Sequence, residues 1–117
     1  MTKREVVHVP GVSKHKTTIA NGCKRCKRGG AASIAGHDPK TQKIPPDAAT
    51  QIANAFVNLR QTIEAAGGTT GNIARINFYV PDMGQREHIN REWLKMFPDD
   101  DDRPVRKVFP SEIPEGL

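Results

Sequence analysis

The sequence predicts an α+β fold, a mixed β-sheet with two α-helices packed on one face. Three observations lead there. Between Asp47 and Ala66, the residues Ile52, Phe56, Leu59 and Ile63 recur at i, i+4, i+7 and i+11, which is the stripe of an amphipathic helix. Ala74, Ile76, Phe78 and Val80 then alternate with Arg75, Asn77 and Tyr79, the period of two of a strand with one buried face. Ile89, Trp93, Met96 and Phe97 recur at i, i+4, i+7 and i+8, a second helical stripe. Helices separated by a strand, with weaker strands ahead of them, suit a sheet covered on one side.

Taken in order, residues 3–9 are expected as a short strand, because Val6 and Val7 lie in a β-favouring context that stops at Pro10-Gly11. Residues 12–22, with His15 and Thr17-Thr18-Ile19, are expected as a loop entering a second strand. The stretch 23–33 opens with four cations in six residues and has no large aliphatic side chain, so no periodicity can be read from it. Cys23 and Cys26 have the C-x-x-C spacing of a zinc knuckle, with His15 and His37 as further ligands in that reading. A structural zinc site usually needs two such pairs, so no metal is assigned. Lys24, Arg25, Lys27 and Arg28 could contact phosphate, yet no aromatic residue is interleaved for base stacking. A solvated turn between two poor strands is the preferred reading, since charge runs are usually solvated faces. Ile34 and Ala35 are expected to end a strand, with Gly36 allowing close backbone approach.

The first long helix is bounded by chemistry at 47–66. Pro45-Pro46 precede Asp47, whose carboxylate can accept from the free N–H groups of the first turn, and Gly67-Gly68 supplies a left-handed exit. Pro81 ends the strand of 74–80. Asp82-Met83-Gly84-Gln85 has the form of a capping box, opening a helix over 83–97 that Pro98 and the run Asp99–Asp102 terminate. Those four carboxylates lack the alternation of an EF-hand loop and are read as a solvated loop. Residues 103–109 are the expected final strand, and 111–117 a loop.

With 117 residues the chain suits one domain with one core. Its hydrophobic fraction of 36% is modest, which leaves room for an oligomer interface to complete the burial. A net charge of +5 favours anionic small molecules or nucleic acid as partners. No run resembles a signal peptide or the roughly 20 apolar residues of a membrane span. The expectation is a soluble, cytoplasmic protein with no membrane partner and with free thiols at both cysteines.

Four segments carry a resemblance: Asp38-Pro39-Lys40-Thr41, the helix end Ile63-Glu64-Ala65-Ala66-Gly67, the strand end Phe78-Tyr79-Val80-Pro81-Asp82-Met83, and Arg103-Pro104-Val105-Arg106. In order and spacing, over about residues 33–116, the chain resembles the Rid family of reactive-intermediate deaminases, also called YjgF-like proteins and formerly L-PSP endoribonucleases. The resemblance implies a chorismate-mutase-like fold assembled as a homotrimer, with helices outside, sheets forming a central barrel and sites at the subunit clefts. It implies hydrolysis of amino-acid-derived enamines or imines to 2-oxo acids and ammonia, with neither metal nor organic cofactor. Arg106, at the end of the family's Pro-x-Arg pattern, is the catalytic and substrate-binding residue it points to. A guanidinium there can hold the substrate carboxylate by two parallel hydrogen bonds and orient the C=N carbon toward water.

Three further residues follow from the same resemblance. Ser33 occupies about the place of the family's small polar residue in the cleft, Gly36 would bring backbone close to substrate, and His15 lies on a loop that often carries an aromatic. With an ordinary pKa of about 6.5, His15 could line the cleft or relay a proton. The chain departs from the family in three places. Lys24–Ala32 replaces an apolar strand, and Val108 stands where a cysteine is frequent. The sequence also stops at Leu117, before a last strand carrying a glutamate that can position water. Such a group is typically worth about 10²–10⁴-fold in rate. The alternatives are a catalytically silent small-ligand-binding protein of the same fold and, ranked below it, an RNA-binding or endoribonuclease member using residues 24–28.

Overall fold

The computed structural model describes the backbone of residues 5–7, 22–25 and 28–31 and all of residues 34–111. Helix α1 (Ala48–Ala65) begins where Asp47 accepts from the backbone N–H of Thr50 at 3.0 Å and from its hydroxyl at 2.6 Å. It ends where Gly67, at φ 87°, turns the chain left-handed, and Gly68 N donates to Ile63 O at 3.0 Å. The predicted bounds hold. The buried face does not follow the apolar stripe alone, because Asn58 and Thr62 are buried beside Phe56.

That polar flank has a physical cause. Asn58 Nδ2 donates to the carbonyls of Ala35 and His37, each at 3.0 Å, and Asn54 Nδ2 to that of Gly36 at 3.3 Å. The thread 34–38 is thereby held against α1 by side-chain amides, and it has no regular structure where a strand end was expected.

Strand β4 (Arg75–Val80) and strand β5 (Val105–Pro110) pair in parallel, with Ile76 opposite Arg106 and Phe78 opposite Val108. A parallel pair needs a crossover, which is helix α2 (Arg86–Met96). Asp82 Oδ1 accepts from Gly84 N at 2.8 Å, as its capping role predicts, but residues 83–85 form a 3₁₀ turn and α2 proper starts three residues later than expected. Phe97 N closes the helix on Trp93 O, and Asp99–Asp102 form the solvated loop, with Arg103 Nη1 at 2.8 Å from Asp100 Oδ1.

The core joins Phe56 of α1, Val80 of β4, Ile89 and Trp93 of α2, and Phe97. Phe78 meets Phe56 at 5.7 Å between ring centroids and Trp93 at 6.2 Å. Because one β4 side chain touches both helices, both lie on the same face of the β4–β5 pair. Burying side chains of this size contributes about 1.5–3 kcal/mol each. The opposite face carries Tyr79, 57% exposed, stacked on Phe109 at 5.2 Å.

Ahead of α1, β1 (Glu5–Val7), β2 (Gly22–Arg25) and β3 (Arg28–Ala31) form an antiparallel sheet in sequence order. Across 23–33, where a solvated turn between two poor strands is expected, the strands take up more of the stretch than expected. Cys23 pairs with Gly30 and Lys24 with Gly29, and a ladder made by backbone groups does not require alternating apolar side chains. The pairing corrects the single mixed sheet: among the described residues the strands pair as two sets, one antiparallel and one parallel. Residues 12–21 of the loop expected over 12–22, Cys26, and residues 112–117 lie outside the described residues. Among the described residues no helix is long and apolar enough to cross a membrane.

Candidate functional site around Arg106

Alternation along β5 puts Arg106 on the same face as Val108, toward the helices. There the guanidinium meets α2. Its carbon lies 5.0 Å from the centroid of the Trp93 ring, a cation–π distance, and its Nη2 donates to Asn90 Oδ1. Asn90 and Trp93 are i and i+3 on α2 and so face the same way, which lets one helix supply both a flat seat and an acceptor. Trp93 is itself fixed by Phe78 and by Phe97, whose ring lies 4.8 Å away. Half-burial is the main cause holding Arg106 below the usual arginine pKa, and the neighbouring Arg86 guanidinium adds to it. An arginine so lowered is still cationic at neutral pH.

Chemically, the arrangement is able to receive an anion. A guanidinium has five N–H donors in a fixed fork, and the Asn90 bond uses one. The remaining donors suit the two oxygens of a carboxylate. Asn90 constrains the plane of the fork while Trp93 supports it from one side.

Residues 17–112 match the family described as Endoribonuclease L-PSP. The chain belongs to this family, the Rid family. Over 60 residues it is 30% identical to the 2-iminobutanoate/2-iminopropanoate deaminase of Escherichia coli, a match covering 51% of this chain and 47% of that protein. The chain thus spans about half the length of the curated relative it matches. Its fold is similar to the crystal structure of RidA from a Psychrobacter species, with a TM-score of 0.86 at 18% identity, over 96% of this chain and 90% of that one. The E. coli YjgF gene product is similar at a TM-score of 0.85 and 19% identity, again over 96% and 90%.

Of the residues that the Rid resemblance singled out, Arg106 is placed beside Asn90 and Trp93. Gly36 lies in the thread against α1, where an added Cβ would fall 2.3 Å from Gln51 O. Ser33 and His15 lie outside the described residues. Val108 packs against the core from β5. Sequence reasoning placed Trp93 in the core without its second role and did not single out Asn90. The available signal was the i, i+3 spacing of a polar and an aromatic residue on the helix that crosses from β4 to the arginine's strand. Among the described residues no three His, Cys, Asp or Glu side chains gather to hold a metal ion. A groove between α1 and α2, lined by Phe56, Val57, Arg60, Glu92 and Lys95, offers no convergent polar set comparable to that at Arg106.

Proposed function

We propose that this Rid protein hydrolyses amino-acid-derived imines or their enamine tautomers to 2-oxo acids and ammonia, with Arg106 as the carboxylate anchor. The single observation that carries the reading is the Arg106 guanidinium seated on Trp93 and oriented by Asn90. An imine of this class has the form R–C(=NH)–COO⁻. Water adds its oxygen to the C=N carbon while a proton goes to nitrogen, giving a carbinolamine. Collapse of that adduct forms C=O, expels NH₃ and leaves R–CO–COO⁻, with no net change of oxidation state. Arg106 contributes by binding and orientation, since a held carboxylate fixes the adjacent carbon for attack. Ser33, Gly36 and His15 complete the proposed substrate-binding set. The similarity to a named deaminase supports this chemistry.

The same reading takes the assembly as a chorismate-mutase-like homotrimer with sheets inside. Tyr79 and Val105, both largely exposed on the face away from the helices, are the apolar surface such a barrel would cover. The test is hydrolysis of an imine generated in situ from an amino acid, with wild type and Arg106→Ala in metal-free buffer. Acceleration by wild type and a loss of at least about 100-fold in the variant are expected for a charge-assisted, bidentate contact and its positioning role. A folded wild type that gives no acceleration refutes the deaminase and leaves a ligand-binding protein.

A further inference from the structure

We propose that the Arg106 site takes substrates bearing two carboxylates, with Arg106 holding the one beside the reacting carbon and Arg86 the other. This rests on the deaminase reading and names its substrate class. Arg86 is the first residue of α2, one turn before Asn90 and on the same helix face, so it stands along the helix from the asparagine that Arg106 bonds. After burial, the charge of Arg86 is the second cause holding Arg106 below the usual arginine value.

Three other cations of this region have carboxylates. Arg91 and Lys95 lie 3.5 and 3.4 Å from Glu92, and Arg103 lies 2.8 Å from Asp100. Among the described residues no carboxylate pairs with Arg86 or Arg106. Glu87 follows Arg86 directly, and adjacent helix residues point to different sides. Arg86 also sits at the positive end of the α2 dipole, where a cation is disfavoured. Like charges, a helix N-terminus and a neutral asparagine together form a patch whose repulsion an anion relieves. One carboxylate on Arg106 leaves Arg86 unneutralised, and a second carboxylate a few atoms along the substrate neutralises it. A monocarboxylate with an apolar tail would leave that cation unmatched.

Trp93 is the single tryptophan of the chain and lies under Arg106, so its fluorescence reports on anions bound there. The stable products 2-oxoglutarate and 2-oxobutanoate serve as di- and monocarboxylate probes. Wild type is expected to bind the first about tenfold more tightly than the second, the scale of one additional charge-assisted contact. Arg86→Gln should bring that ratio close to one and Arg86→Lys should keep most of it. Arg60→Gln removes the same charge from α1 and should leave the ratio unchanged. Equal binding of both probes by wild type, or a ratio unaffected in Arg86→Gln, overturns the proposal. The corresponding imines, generated in situ, separate the two readings. Hydrolysis of both imines with no dicarboxylate preference sinks the inference and keeps the deaminase. A binding preference lost in Arg86→Gln, with neither imine hydrolysed, supports the dicarboxylate site and sinks the deaminase.

Discussion

Gly36→Ala is expected to destabilise the protein severely, for a reason of space. A Cβ at this position would stand 2.3 Å from Gln51 O and 2.8 Å from Gln51 C and Cα, all backbone atoms of α1 that no rotamer change can move. An ordinary contact begins near 3.4 Å, so thread and helix must separate by about 1 Å. The amide bonds that tie α1 to Ala35, Gly36 and His37 span 3.0–3.3 Å, and a shift of that size breaks or badly stretches all three. At a net 0.5–1.5 kcal/mol each, with Asn58 only 1% exposed and unable to turn to water, the loss comes to about 3 kcal/mol. That is a large share of the roughly 5–15 kcal/mol that stabilises a domain. Urea unfolding followed by Trp93 fluorescence should show the midpoint falling by about 1–2 M at an unchanged slope. Gly71→Ala is the control, because its Cβ would meet only Thr69 Oγ1 at an ordinary 3.5 Å, and it should stay within about 0.5 kcal/mol of wild type. If Gly36→Ala also lies within that margin, the close packing of thread on α1 is refuted.

Two further perturbations test the anchor and the helix start. Asn90→Ala should lower kcat/KM for an imine by about tenfold by freeing the Arg106 fork, and Asn90→Asp should lower it further, because a carboxylate there would occupy the guanidinium in place of substrate. Wild-type kcat/KM in Asn90→Ala would refute an orienting role for Asn90. The Asp47 carboxylate is held below its usual range, first by the Thr50 hydroxyl and then by the Thr50 N–H. A folded-state value below the unfolded one stabilises the fold above the unfolded carboxylate value, about 3.9, and that stability is lost as pH falls through the folded value. Asp47→Ala should therefore unfold at a lower temperature than wild type at pH 7, and the gap should close as the pH falls through the carboxylate's lowered folded-state value.

Both helices and β4 could be read from the chain because each has a period that only one geometry satisfies, and their ends carry local chemistry in Asp47, Gly67 and Asp82, while β5 was expected over 103–109 with Pro110 closing it. Arg106 was legible through its place in a family pattern. The pairing of β2 with β3 was not, since Gly29 and Gly30 have no side chains from which to read a period. Nor was the irregular thread 34–38, whose partners Asn54 and Asn58 lie 18 to 23 residues away in sequence.

Periodicity, caps and short motifs are properties of neighbouring residues, so the chain alone marks α1, α2 and β4, most of the faces they bury and the arginine of the family pattern. What surrounds that arginine follows from how the elements pack in space. Asn90 and Trp93 reach Arg106 because a parallel pairing of β4 and β5 requires α2 as its crossover, and that arrangement brings residues 16 and 13 positions away into contact with one guanidinium. Contacts of that kind depend on the distance between elements in space, which no local pattern encodes.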